Sequence, residues 1–101
     1  MPGRSLRLAS DYLAPTPVWM DSATVIGDLD GLGLPAPLVT SLLHWQAHFD
    51  EHFSAVDGWD SPGSREWYAA EGVRLHDALG ATLPHDNVEL DLWPVTGQPP
   101  G

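Results

Sequence analysis

The chain has 101 residues and no cysteine, and its 14 acidic residues against four arginines give a formal charge of -10. That length fits one domain. The composition excludes disulfides and thiolate chemistry, and so acidic a surface is a poor match for nucleic acid or anionic lipid, whose phosphates need positive partners. Apolar residues make up 43% of the chain, enough to build a core. No apolar run approaches the roughly 18 residues of a membrane span. The first residues carry no signal-peptide core, so the cytoplasm is the default location.

From Ser5 to Tyr12 the pattern alternates, with Leu6, Leu8, Ser10 and Tyr12 on one side and Arg7, Ala9 and Asp11 on the other. This predicts a half-buried strand. Prolines 15 and 17 break it, and Val18-Trp19-Met20 reads as a short second strand at a sheet edge. Residues 21–37 read as a loop, with Val25 and Ile26 available to pin it to the core.

A first helix is expected to start at Pro35 or Pro37, since proline fits the first helical turn, and to run to Phe53. Leu38, Leu42, Trp45, Phe49 and Phe53 are spaced by 4, 3, 4 and 4 residues and fall on one stripe. Ser61 is a good N-cap for a second helix, with Pro62 at its first position. That helix should run to Leu79, with Gly80 as a left-handed terminator. Its buried stripe is Tyr68, Gly72, Leu75 and Leu79. A glycine inside a helix costs about 1 kcal/mol relative to alanine. The expected compensation is a large side chain of the first helix filling the notch at Gly72.

Val88 to Trp93 alternates without a fault and predicts a last strand, which places Trp93 on the Arg7 side of the sheet. If the first and last strands are neighbours, Arg7 comes opposite or diagonal to Glu89 and Asp91; the pattern leaves parallel and antiparallel pairing open. The fold class is therefore α+β, a small sheet of two or three strands packed on an antiparallel helix pair in the order β-(β)-α-α-β. Residues 5–95 form one domain, with 1–4 and 96–101 as flexible ends.

Chemistry-bearing motifs are sparse. His44, His48 and His52 follow one another at four-residue spacing, with Glu51 beside them. Imidazoles four apart on a helix can share a zinc or nickel ion, although the outer two lie about 12 Å apart along the axis. Metal binding is thus the alternative reading, against ordinary half-buried rings bordering an apolar stripe. Asp28-Leu29-Asp30-Gly31 opens like a calcium loop, but the twelfth position is Val39 where a bidentate acid is required. No nucleophile elbow or phosphate loop is present. No cofactor and no enzymatic activity are expected.

The charge layout is more informative. Between Arg7 and Arg65 the sequence carries eight acids and no lysine or arginine. A charge field of one sign speeds association with a basic partner. The five tryptophans add a second signal, because exposed tryptophan with an acidic rim resembles a protein-binding hot spot. Covering the ends of a small core is the competing role for Trp59 and Trp93. The candidate contacts are Asp28, Asp30, Asp57, Trp59, Asp60 and Trp93.

The strings Leu6-Arg7-Leu8-Ala9-Ser10-Asp11-Tyr12, Gly58-Trp59-Asp60-Ser61-Pro62 and Val88-Glu89-Leu90-Asp91-Leu92-Trp93-Pro94 resemble short acidic, uncharacterised proteins of high-GC bacteria. In size, acidity and α+β make-up the chain is also similar to immunity proteins and antitoxins. That likeness implies a small non-enzymatic protein that engages a basic protein, such as a nuclease-like toxin, without touching nucleic acid or membrane. An inhibitor imitating the charge of DNA is a variant of the same reading.

Overall fold

The computed structural model describes residues 5–20, 24–27 and 29–96. Three strands form the main sheet: β1 (Ser5–Leu8), β2 (Val18–Trp19) and β5 (Asn87–Leu90), in the order β2-β1-β5. β1 pairs antiparallel with β2 and parallel with β5, the latter in the register Ser5 with Asn87 through Leu8 with Leu90. Between them come a 3-10 turn (Leu29–Leu32), helix α1 (Ala36–His52), a two-stranded hairpin of β3 (Phe53–Ser54) and β4 (Gly58–Trp59), and helix α2 (Pro62–Thr82). A last turn of helix, α3 (Trp93–Thr96), follows β5. The α+β class and the element order agree with the sequence pattern.

The two long helices run antiparallel. Trp45 meets Gly72, the earlier residues Pro37, Leu38 and Ser41 line a groove with the later Arg74, Ala78 and Thr82, and His48 reaches back to Ser64. They cover the sheet face that carries Leu6 and Leu8, fully buried, with Val88 and Leu90 packed against the core. The other face carries Arg7, whose guanidinium pairs with Asp91 at 3.1 Å and lies over the Trp19 ring at 5.5 Å. The expected Arg7 pairing is thus present, and the register places Arg7 beside Glu89 as well.

Gly72 is the notch that the helix pattern requires. A Cβ there would stand 2.9 Å from Leu92 Cδ2 and 3.0 Å from Trp45 Cζ2. The indole fills the space, stacks on Tyr68 at 4.4 Å and donates its N–H to the Tyr68 carbonyl at 2.9 Å. Ser61 caps α2 as expected, its hydroxyl accepting the Ser64 N–H at 3.1 Å.

Three expectations are corrected, and one element is added to them. The first strand ends at Leu8, because the chain turns at residues 11–14, where the Ala14 N–H reaches the Asp11 carbonyl. The first helix ends at His52 with Phe53 as its C-cap, close to the expected end, and the added element is the hairpin that Phe53 opens: Ser54 Oγ accepts the Val56 and Asp57 N–H groups, and Gly58 takes a φ of 74°. Gly80 does not end α2, which continues to Thr82 until Leu83 turns into the core. The last strand stops at Leu90, since Asp91 Oδ1 accepts the Trp93 N–H and starts α3, carrying Trp93 to the helix side of the sheet, away from Arg7.

Two glycines of α2 should respond oppositely to alanine. Gly72→Ala gains about 1 kcal/mol of helix propensity, but overpacking against the hydrogen-bonded indole costs about 1–3 kcal/mol, so a net loss is expected. Gly80 has no atom within 4 Å of its would-be Cβ, and Gly80→Ala should gain about 0.4–1 kcal/mol. Urea unfolding midpoints at unchanged slope read both signs.

Candidate functional site

Four of the six candidate contacts come together around the β3–β4 hairpin. Asp57 and Asp60 flank β4 and are exposed. Trp59, half-buried between them, donates its indole N–H to the Pro94 carbonyl at 2.9 Å and lies against Phe53 at 5.1 Å and Tyr68 at 5.0 Å. Trp93 is 8% exposed. Its N–H is donated to the Ser10 carbonyl at 2.7 Å, and its ring packs on Phe53 at 5.6 Å. Both indoles therefore wall an aromatic cluster and have their polar tips satisfied within the chain, as buried tryptophans require. Asp28 lies outside the described residues, as does the side chain of Asp30, whose backbone belongs to the 3-10 turn.

The histidine row is engaged elsewhere. His44 meets the edge of Trp67, and His48 lies between Trp67 at 4.4 Å and His52 at 4.5 Å. His48 Nε2 stands 3.0 Å from the Ser64 carbonyl, which only accepts, so that nitrogen carries the proton. His52 Nδ1 donates to Asp60 Oδ2 at 2.6 Å, and its other nitrogen faces Glu51 at 3.7 Å. Among the described residues, no group of three or more His, Cys, Asp or Glu side chains is placed to hold a metal ion.

These contacts tie the end of α1 to the start of α2. The Asp60 N–H also donates to the His52 carbonyl at 2.9 Å. The hydrogen bond from His52, with Ser64 adding to it, holds the Asp60 carboxyl below its ordinary value. A second acidic grouping surrounds Gln46, whose amide donates to the Asp11 carbonyl at 2.8 Å and to Asp50 Oδ1 at 3.1 Å. Partial burial raises the Asp50 carboxyl above its ordinary value, against the opposing pull of Gln46. On the outer sheet face a cleft of about 420 Å3 is lined by Arg7, Glu89, Asp91 and Thr96, where Arg7 is already paired with Asp91.

Residues 4–90 match a family model described as Serratia CdiI immunity protein-like. The chain belongs to that family. The match runs from just before β1 to the end of β5, so it takes in the whole sheet, both long helices and the hairpin. No curated protein matches the chain. Membership gives the acidic surface a setting: immunity proteins act by binding another protein. No helix among the described residues is long and apolar enough to cross a membrane.

Two exposed residues at this surface escape the sequence pattern. Leu13 is 94% exposed at the turn after β1, and Val56 is 89% exposed in the hairpin turn. Leu13 stands between Tyr12 and Ala14, and Val56 between Ala55 and Asp57, and periodicity does not separate such apolar residues from a core edge.

The His52–Asp60 clip should make stability depend on pH. A carboxylate held low contributes stability that is present above its unfolded-state value and lost as pH falls through the lowered native one. Asp60→Ala should therefore melt below the parent chain at pH 6, and the gap should close as pH drops below about 4. Calorimetric melts at both pH values check this.

Proposed function

We propose that this chain is an immunity protein that binds and neutralises a basic toxin domain, and that it does so without catalysis. The observation that carries the reading is the family match over residues 4–90, joined to an acidic stretch without lysine or arginine between Arg7 and Arg65. An excess of carboxylates raises the encounter rate with a cationic surface. The nominated contacts take two roles. Asp57 and Asp60, with Asp28 and Asp30, supply charge at the interface. Trp59 and Trp93 hold the hairpin from beneath, since their indole N–H groups are committed to Pro94 and Ser10. The basic partner is a protein rather than nucleic acid, because a net charge of -10 repels phosphate. The cytoplasm, where a producing cell would meet a toxin domain, is the proposed location.

The test sequences the genes on either side of this chain's, expects a basic toxin-like domain among their products, and measures the association of that purified domain with this chain. Association should slow as salt rises from about 50 to 500 mM, while dissociation changes little. Replacing Asp28, Asp30, Asp57 and Asp60 by asparagine should cut the low-salt association rate about tenfold. Binding independent of salt, or a fourfold amide variant that associates at the parent rate, would remove electrostatic recruitment from the account.

A further inference from the structure

Leu13 is the one non-glycine residue among those described with a positive φ, 58°, and its side chain is 94% exposed. The left-handed region penalises leucine, and a solvent-facing isobutyl group returns no packing to the fold. Glycine or asparagine would serve that turn better if only the turn mattered.

The turn is nevertheless firmly held. Tyr12 donates its N–H to Asp11 Oδ1 at 2.7 Å, and Gln46 fixes the Asp11 carbonyl from below. The Tyr12 ring, 48% exposed, lies on Phe49 at 5.4 Å, Trp93 at 5.9 Å and Phe53 at 6.4 Å. Phe53 is also the first residue of the hairpin whose turn presents Val56, 89% exposed, with its N–H bonded to Ser54 Oγ. Phe53 thus joins the two turns through a single ring. Asp11 and Asp50 lie beside the first turn, drawn together by Gln46, and Asp57 follows Val56 in the second.

We propose that the Leu13 turn and the Val56 turn form one docking edge, with Tyr12 between them. In this edge two aliphatic anchors stand within a rim of Asp11, Asp50 and Asp57, and its occupant is an apolar patch ringed by lysine or arginine on the toxin domain. This rests on the immunity reading above. The rim selects the occupant: buried aliphatic contact supplies the affinity, while the carboxylates select a cationic surround and reject an acidic one. A second copy of this chain fits poorly, since it would bring another -10 charge onto the same carboxylates.

The edge is tested with Leu13→Gly, Val56→Ser and the double variant against the same toxin domain. Leu13→Gly removes the anchor and relieves the left-handed leucine, so its melting temperature should hold or rise. The double variant should bind roughly tenfold more weakly or worse, chiefly through faster dissociation. Lost affinity at an unchanged melting temperature supports the edge. If the parent chain binds and the double variant binds within about twofold of it, the edge is wrong and the immunity reading stands. If the parent chain itself fails to bind at low salt, the immunity reading falls and takes the edge with it. Concentration-dependent dimerisation that Leu13→Gly abolishes would identify a second copy as the occupant and overturn the proposal.

Discussion

The contact of Trp45 with the backbone at Gly72 sets the distance between the two long helices. An indole that stacks on Tyr68 and donates its N–H to the Tyr68 carbonyl has little freedom to move. The absence of a side chain at Gly72 lets α2 approach closely, and Leu92 closes over the same spot from the segment after β5. With that spacing fixed, Phe49 and Phe53 project toward the turn after β1 and toward α3, and the aromatic cluster of Tyr12, Trp59 and Trp93 assembles on them. The surface proposed for partner binding is the outer side of that cluster. Its geometry is therefore inherited from a contact in the helical core.

Where one side chain per turn or per alternate residue decides the outcome, the fold could be read from the sequence. Of the stripe Leu38, Leu42, Trp45, Phe49 and Phe53, the middle three are buried, together with Gln46, and Leu38 and Phe53 are half-buried against the core, while the stripe Tyr68, Gly72, Leu75 and Leu79 makes up the buried residues of α2. The alternation in β1 and β5 correctly separates Leu6 and Leu8 from Arg7, and Val88 from Glu89. Two of the differences between pattern and structure share one cause: periodicity does not register competition by local hydrogen bonds. Asp91 continues the alternation of β5, yet its carboxylate captures the Trp93 N–H and starts a helix. Phe53 continues the stripe of α1, yet the hydroxyl of Ser54 stabilises a turn that reverses the chain. Gly80 has the composition of a terminator, but the buried Leu83 draws the helix three residues further before it ends.

The candidate site was legible in charge and only partly in contact. Net acidity and the stretch without basic residues follow from composition alone. Which tryptophan is wet depends on where its N–H finds an acceptor, and the carbonyls of Pro94 and Ser10 belong to distant parts of the chain. The histidine row shows the same limit. Four-residue spacing places imidazoles on one helix flank, but the acceptors they meet, the Ser64 carbonyl and the Asp60 carboxylate, lie near the start of α2 and leave no sign in that spacing.

The parallel pairing of β1 with β5 has a consequence for how the molecule comes into being. Arg7 and Asp91 are 84 positions apart, so the central strand of the sheet waits until both long helices have been made before its second neighbour arrives. Loop closure over such a separation is entropically unfavourable and precedes any return from the contact, which slows folding relative to a locally connected bundle. During synthesis the helical pair can form while one edge of β1 stands open. A ribosome stalled before Asn87 would hold a chain whose β1 still lacks its parallel neighbour.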